Sequence, residues 1–419
     1  MTSSIEVARV LSQPYTLPNG SVIKNRLGKS AMSEALGTTD NRMTAGLERL
    51  YGRWADGGIG LLITGNVMID RRALGEPNNV AIEDERDLDQ LRVWAAAGTR
   101  NGTQLWMQIN HPGKQSPKGL NAETVAPSAI PFNKELSRFF STPRALTETE
   151  IEELIQRYGR TAAIAKKAGF TGVQIHGAHG YLVSQFLSGH HNQRQDRWGG
   201  NPENRRRFVL EVFREIRAQV GKSFPVGIKL NSADFQRGGF TEEESLDLIR
   251  ALSDAGVDLI EISGGTYEAP AMSGVKAVPQ KDSTRRREAY FLEFAEKARA
   301  AVSTPLMLTG GFRSSAGMAD AVSSGAVDIV GIARALAIEP DLPKRVLQGL
   351  DPHHEVRPIT TGIAAIDRMA LMEVAWYSRQ LRRMANGGEP KPGESGFIAF
   401  LAAIAGSGWH TFKTRRLRA

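Results

Sequence analysis

The 419-residue sequence contains no cysteine. Disulfides, thiolate metal sites, iron–sulfur clusters and a cysteine nucleophile are therefore excluded. Long hydrophobic runs are also missing, because the longest wholly apolar run near either end, residues 397–405, is far shorter than the roughly 20 residues that a membrane-spanning helix needs. No basic patch followed by an apolar stretch opens the chain, which argues against a secretory signal. We therefore expect a cytoplasmic protein without a transmembrane segment.

Proline is no more frequent than average, with 19 residues, and 41% of the residues are hydrophobic and 23% are charged. This composition is typical of a globular protein that buries a large core. The formal net charge is +8, but eight basic and two acidic residues from Trp376 onward contribute +6 of it. The rest of the chain is close to neutral, so the composition indicates no nucleic-acid partner.

Eight short apolar segments predict the strands of a parallel sheet. Their hydrophobicity is continuous rather than alternating, as expected for strands that are covered on both faces. Eight such strands separated by helices predict an α/β protein with a (β/α)8 TIM barrel, and the alternative is an open doubly wound sheet. The segments are residues 27–33, 60–64, 104–109, 172–175, 226–230, 258–262, 306–308 and 327–331.

Capping signals mark several helix starts: Thr147 with Glu150 and Thr241 with Glu244 fit the capping box, and Asn201 precedes a proline at a first helical position. At the front, YTLPNGSVIKN predicts a β-hairpin that closes the bottom of the barrel. We expect residues 1–350 to form the barrel and residues 351–419 a basic, helical C-terminal extension.

Two predicted loops are longer than packing requires, namely residues 111–146 after the third strand and residues 176–200 after the fourth. Barrel enzymes carry their chemistry on such loops at the carboxyl ends of the strands. The second loop brings His176, His179 and Tyr181 within six residues. Two imidazoles and a phenol can polarise a carbonyl or nitro oxygen and protonate a neighbouring carbon.

A zinc site is the alternative interpretation of the same histidines. His176 and His179 have a plausible ligand spacing, but no carboxylate follows at a familiar distance. His190 and His191 are candidates for further ligands, but they precede a basic, polar loop that is expected to be solvated.

The block that starts at His176 contains HGYL, QFL, the WGG of residues 198–200 and the NPENR of residues 201–205. It strongly resembles the Old Yellow Enzyme family of FMN-dependent ene-reductases, and the resemblance extends from about Lys24 to Leu342. It implies an FMN-binding (β/α)8 barrel in which NADH or NADPH reduces the flavin and the flavin then reduces an activated alkene. By this resemblance His176 and His179 are the substrate-oxygen donors, and Tyr181 is the proton donor.

The resemblance also assigns residues around the flavin. In KNRLGKSAMSEAL, the residues that line the reactive edge are Ala31, Met32 and Ser33. Gly65 matches a small residue that allows close approach to the ring. Gln108, in MQINHPGK, matches a glutamine that hydrogen-bonds the pyrimidine end.

Three positions depart from the family pattern. Ala31 replaces a frequent proline, and Ser33 occupies the place where a threonine or cysteine often hydrogen-bonds the flavin carbonyl. Lys229 replaces an arginine near flavin N1 and O2, which leaves a point charge instead of a planar fork. A buried lysine without an anionic partner is costly, so this residue is expected to face the flavin.

Two loops, LTGGFRS after the seventh strand and VGIARAL after the eighth, match the family's phosphate site. Glycines let backbone N–H groups approach a phosphate, and a helix N-terminus adds partial positive charge. The matching residues are Gly310, Gly311, Phe312, Arg313, Ala333 and Arg334.

The expected protein is an NAD(P)H-dependent FMN oxidoreductase that reduces α,β-unsaturated carbonyl or nitro compounds. Without cysteine it differs from relatives that resemble dienoyl-CoA reductase and carry an iron–sulfur cluster, so the nicotinamide must bind transiently over the flavin. Two alternatives remain, a flavin-binding protein without ene-reductase turnover and a zinc-dependent hydrolase. The apolar and basic tail is expected to pack on its own barrel or to form a homo-oligomer. Binding to an anionic membrane is the less favoured interpretation.

Overall fold

The structure, a computed structural model, describes residues 3–265, 291–350, 359–361 and 371–402. In these ranges the strands are β1 (Tyr15–Thr16), β2 (Val22–Ile23), β3 (Leu27–Lys29), β4 (Leu61–Ile63), β5 (Val67–Met68), β6 (Gln104–Asn110), β7 (Val125–Ala126), β8 (Arg144–Ala145), β9 (Gly172–Gly177), β10 (Val226–Asn231), β11 (Leu259–Ser263), β12 (Leu306–Thr309) and β13 (Ile329–Ile332).

The helices of the described ranges mostly follow the barrel strands. They are α1 (Ser4–Ser12), α2 (Ala45–Asp56), α3 (Leu88–Gly98), α4 (Glu148–Ala168), α5 (Leu182–Leu187), α6 (Pro202–Val220), α7 (Glu242–Ala255), α8 (Leu292–Ala301), α9 (Ser315–Ser323), α10 (Leu342–Leu347) and α11 (Leu371–Ala385), with short 3-10 helices at Arg100–Gly102, Leu136–Arg138 and Arg334–Ala337.

Eight of the strands form a closed parallel barrel. They are hydrogen-bonded in chain order, β3 to β4, β6, β9, β10, β11, β12 and β13, and β13 pairs with β3 to close the ring. Each predicted strand segment overlaps one of these eight strands, so the (β/α)8 prediction is confirmed and the open sheet was wrong. Closure leaves the barrel strands without a free edge, and their carboxyl ends meet at one rim.

The N-terminal hairpin closes the bottom of the barrel, as predicted. β1 and β2 pair antiparallel, and Leu17 and Ile23 are buried in one apolar cluster with Trp106 and Met307 from inside the barrel. Large apolar side chains therefore fill the lower interior, which leaves the opposite end for polar chemistry.

The predicted helix starts are also present. Thr147 and Glu150 form a complete capping box at the start of α4, and Thr241 and Glu244 form one at α7. Asn201 caps α6, which has proline in its first turn. These caps satisfy backbone N–H groups where the chain enters the outer helices.

The C-terminal extension contributes α11, which packs on α2 and on the 3-10 helix Arg334–Ala337. Arg49 of α2 donates to the carbonyl of Ala385 at 2.7 Å. Beyond α11, Phe397 and Ile398 are exposed, and residues 403–405 of the predicted apolar run lie outside the described residues. No helix in the described ranges combines the length and apolar character that a membrane crossing requires.

Candidate active site

Every residue predicted for the site lies within a barrel strand or in the segment that directly follows one, and Arg334 begins the 3-10 helix after β13. Residues 31–33 follow β3, Gly65 follows β4, and residues 310–313 and 333–334 follow β12 and β13. Gln108, His176 and Lys229 lie within β6, β9 and β10. Because the strands are parallel, the structure brings these residues to one rim of the barrel.

The two histidines and the tyrosine form one cluster after β9. The ring centroids of His176 and His179 are 5.4 Å apart, and those of His176 and Tyr181 are 4.7 Å apart. His176 and Tyr181 are buried, and Nδ1 of His176 has no hydrogen-bond partner within the described part of the chain. A buried polar atom of this kind is a ready donor or acceptor for a ligand.

The backbone of His179 adopts an unusual conformation, with φ of 60° followed by a φ of 79° at Gly180. The N–H of His179 donates to Asn231 Oδ1 at 3.2 Å, and the Ser263 hydroxyl lies 2.8 Å from its Nε2. A left-handed conformation at a residue other than glycine costs free energy and is often retained at functional sites. When Ser263 donates to Nε2, the imidazole proton lies on Nδ1.

Both imidazoles are neutral at physiological pH. Burial, the proximity of His179 and then that of Lys229 hold the pKa of His176 well below its ordinary value. Burial and the Lys229 cation lower the pKa of His179 to about 3. A neutral imidazole keeps one N–H donor, so the pair can donate two hydrogen bonds to a single substrate oxygen.

Lys229 lies beside a carboxylate that the sequence interpretation missed. Its Nζ is 3.0 Å from Oε1 of Glu261 in β11, and both side chains are buried. From the sequence we expected the flavin to be the anionic partner of this lysine, whereas in the structure the protein supplies an anion. The charge of Lys229 is therefore already offset before any ligand binds.

Gln108 belongs to the same polar chain. Its Nε2 donates to Gln174 Oε1 at 2.8 Å, and Gln174 Nε2 donates to Glu261 Oε2 at 2.7 Å. Gln174 and Glu261 were not predicted as site residues, although each is a polar residue inside an apolar strand, GVQI and DLIEI. A polar residue within an apolar strand could have identified both, because an unpaired buried polar group is costly and such a residue therefore needs a partner.

Gly65 lies in close contact with the loop after β3. A Cβ at this position would lie 2.6 Å from the carbonyl oxygen of Met32, and its N–H donates to the Tyr51 hydroxyl at 3.0 Å. Tyr51 donates in turn to Glu34, whose carboxylate lies 3.5 Å from Lys29. The loop after β3 packs so closely against the loop after β4 that only glycine fits there.

Ser33 is linked to two groups that the sequence did not associate with it. Its hydroxyl donates to the carboxylate of Glu76, and its carbonyl accepts from the Ser378 hydroxyl of α11 at 3.0 Å. Burial raises the pKa of Glu76. Ala31 and Met32 are partly buried beside Ser33. The C-terminal extension thus reaches the segment predicted to line the flavin.

The two predicted phosphate loops lie side by side, since β12 and β13 are neighbours. Gly310 and Gly311 have φ of 116° and 90°, conformations that glycine adopts without strain. Phe312 packs against the core, and exposed Arg313 lies just before α9. The second loop contains Ala333 and Arg334. The Arg334 guanidinium is 2.8 Å from Glu373 of α11.

His191, a candidate for a further metal ligand, lies beside a lysine instead. This side chain is buried, and its Nδ1 lies 3.0 Å from Nζ of the buried Lys114. Burial, Lys114 and His190 lower the pKa of His191 to about 2. Within the residues that the structure covers, no three His, Cys, Asp or Glu side chains are grouped to hold a metal ion.

The rim residues suit a flavin phosphate. Gly310 and Gly311 have positive φ angles that other residues adopt only with strain, and they lie just before the first turn of α9, where a phosphate is favoured. Gln108 and Lys229 supply an amide and a cation from inside the barrel. Nδ1 of His176 has no hydrogen-bond partner in the part of the chain that the structure describes. The two glycines would hold FMN at its phosphate, Gln108 and Lys229 would hold it at its pyrimidine end, and His176 would be left for the substrate.

Comparison with known proteins agrees with this arrangement. The model of the NADH:flavin oxidoreductase / NADH oxidase family matches residues 11–353. The NADH-dependent flavin oxidoreductase iccE of Talaromyces variabilis is 37% identical over 408 residues, which are 90% of this chain and 99% of that protein.

Two solved structures show the same fold. A 2-naphthoyl-CoA reductase in complex with 2-naphthoyl-CoA matches with a TM-score of 0.74 and 27% identity, covering 82% of this chain and 53% of that one. An Old Yellow Enzyme homologue from Zymomonas mobilis matches with a TM-score of 0.71 and 24% identity, covering 82% and 94%. The chain belongs to the NADH:flavin oxidoreductase / NADH oxidase family, that is, to the Old Yellow Enzymes, which are FMN-dependent oxidoreductases that use NADH or NADPH.

Proposed function

We propose that this protein reduces the C=C bond of activated alkenes, namely α,β-unsaturated carbonyl or nitro compounds, with NADH or NADPH. The observation that carries the proposal is the cluster of His176, His179 and Tyr181 at the rim, with ring centroids 4.7 and 5.4 Å apart. Bound FMN would supply the hydride chemistry between the nicotinamide and the alkene β-carbon.

The side chains of the cluster have separate roles in this proposal. The neutral imidazoles of His176 and His179 donate to the carbonyl or nitro oxygen, and they stabilise the negative charge that develops there as the β-carbon accepts hydride. The Tyr181 hydroxyl gives its proton to the α-carbon and regains one from solvent. The alkene thus gains one hydride and one proton.

The flavin-facing residues are proposed from the same rim. Residues 31–33 and Gly65 are assigned to the reactive edge, and Gln108 and Lys229 to the pyrimidine end. Residues 310–313 and 333–334 are assigned to the phosphate. Support comes from the positive φ angles at Gly310 and Gly311 and from the buried, hydrogen-bonded Gln108.

Residues 351–419 are proposed as an extension of a barrel formed by residues 1–350. The packing of α11 on α2 supports an intramolecular role for its first part. The exposed side chains of Phe397, Ile398 and Leu401 support a second role in contact with another copy of the chain.

A spectroscopic experiment tests the proposed function. Purified protein with bound FMN should lose its blue absorbance with NADH or NADPH under anaerobic conditions, and 2-cyclohexenone should restore it with formation of cyclohexanone. The saturated ketone is the matched control and should restore nothing. If enones and nitroalkenes fail while oxygen succeeds, the protein binds flavin without ene-reductase turnover. A colourless, zinc-loaded protein would favour the hydrolase alternative.

A further inference from the structure

A polar layer crosses the inside of the barrel just above its apolar filling. Successive inward-facing residues on a strand are two positions apart, so Gln108, Glu261 and Thr309 lie one step nearer the rim than residues of the apolar interior cluster. Those lower residues are Trp106, Leu259 and Met307. Polar side chains at this depth need partners inside the protein, since water is excluded.

Glu261 is the centre of this layer. Its side chain is fully buried, and its Oε1 accepts from Thr309 Oγ1 at 2.7 Å and lies 3.0 Å from Lys229 Nζ. Its Oε2 accepts from Gln174 Nε2 at 2.7 Å, and Gln174 accepts from Gln108 at 2.8 Å. We call these five residues the Glu261 cluster.

Two members of the Glu261 cluster, Lys229 and Gln108, are the side chains proposed to meet the pyrimidine end of the flavin. Both oxygens of Glu261 are used to hold them, one directly and one through Gln174. We infer that Glu261 is a positioning residue that orients Lys229 and Gln108 toward the flavin and keeps the reduction potential of bound FMN below the value that Lys229 alone would set. This inference rests on the proposed placement of Lys229 and Gln108.

The sign of the effect follows from the charges. Reduction of the flavin increases negative charge at the site, so a nearby cation raises the potential and a nearby anion lowers it. Glu261→Gln removes the anion but keeps an amide oxygen that accepts from Lys229, so Lys229 stays oriented and the potential should shift to a more positive value. Lys229→Met removes the cation and should shift it to a more negative value. The double variant removes both charges and should lie between the two single variants.

The test uses the full-length protein loaded with FMN. The potential is measured by equilibration with a reference dye in the wild type, in both single variants and in the double variant. Thr309→Val is the matched control, because it removes one hydrogen bond to Glu261 and no charge, and its potential should stay close to that of the wild type. Glu261→Asp keeps the charge and should keep most of the wild-type potential.

The outcomes separate this inference from the proposed site. If Lys229→Met shifts the potential but Glu261→Gln leaves it unchanged, Glu261 has a structural role only and the inference is overturned. If neither substitution shifts it, the placement of Lys229 at the flavin is wrong.

Removing one member of a buried pair destabilises a protein strongly, whereas removing both leaves no unpaired charge. If Glu261→Gln does not fold, the double variant is therefore compared with Lys229→Met alone. A more positive potential in the double variant supports the inference, and equal potentials overturn it.

Discussion

His179 is expected to stay neutral across the working pH range, so its contribution to alkene reduction should not titrate between pH 8 and pH 5. Burial and Lys229 lower its pKa to about 3. With that pKa, about one molecule in a hundred carries a protonated His179 at pH 5. A histidine with the ordinary pKa of about 6.5 would be about 97% protonated at the same pH.

The assay is rapid mixing of prereduced protein with an enone at a series of pH values, for the wild type and for His179→Asn. Asparagine keeps a hydrogen-bond donor and does not titrate, so the ratio of the two rates should stay constant within about twofold. The reasoning would be refuted by an inflection near pH 6.5 in the wild type that is absent from the variant.

The same pKa shift predicts a change in stability with a definite sign. The unfolded chain takes up a proton at His179 as the pH falls through about 6.5, while the folded chain does so only near 3. Because of this residue, the free energy of unfolding is lower by about 2 kcal/mol at pH 5 than at pH 8. That figure is the distance of about 1.5 pH units between the unfolded pKa and pH 5, at about 1.36 kcal/mol per unit. In denaturant titrations at pH 8 and pH 5, His179→Asn should gain that amount relative to the wild type, and a difference independent of pH would contradict the shift.

Three further substitutions address the proposed roles. Tyr181→Phe should leave reduction by NAD(P)H intact and slow alkene reduction by about 10²–10⁴-fold in rapid-mixing experiments; an unchanged second rate removes Tyr181 as the proton donor. Gly310→Val places a side chain at a φ of 116° and should weaken FMN binding in a dissociation assay. Its control is Gly325→Val, at a φ of 75° outside the site, which should lower stability by only about 1–3 kcal/mol and leave FMN binding unchanged. Ser378→Ala removes the hydrogen bond to Ser33 and should lower the free energy of unfolding by about 1 kcal/mol and speed FMN release. An unchanged melting temperature and an unchanged release rate would show that this contact contributes to neither.

The barrel could be predicted because its determinants are local. Continuous apolar runs, such as residues 226–230, can be buried on both faces only in a covered parallel sheet. The capping boxes at Thr147 and Thr241 are each complete within four residues. The rim residues were predicted because they match a family motif, and the closed topology then places the ends of their strands together.

The partners of the site residues could not be predicted in the same way. Lys229 pairs with Glu261 through the register of two strands, and no local pattern in the sequence specifies that register. Ser378 donates a hydrogen bond to Ser33, which lies 345 residues earlier in the sequence. The buried His191 lies beside the buried Lys114, 77 residues away in the sequence, and no local pattern indicates that partner.

In the proposed reaction, a hydride from the nicotinamide reaches one alkene carbon by way of bound FMN, and a proton from Tyr181 reaches the other. Isotope labelling tests it most directly, with 2-methylcyclohexenone as the substrate and deuterium supplied either on the nicotinamide or in the solvent. We expect nicotinamide deuterium only at the β-carbon and solvent deuterium only at the α-carbon, with slower α-labelling in Tyr181→Phe. Nicotinamide deuterium at the α-carbon, or an FMN-loaded protein that forms no reduced product, would contradict it.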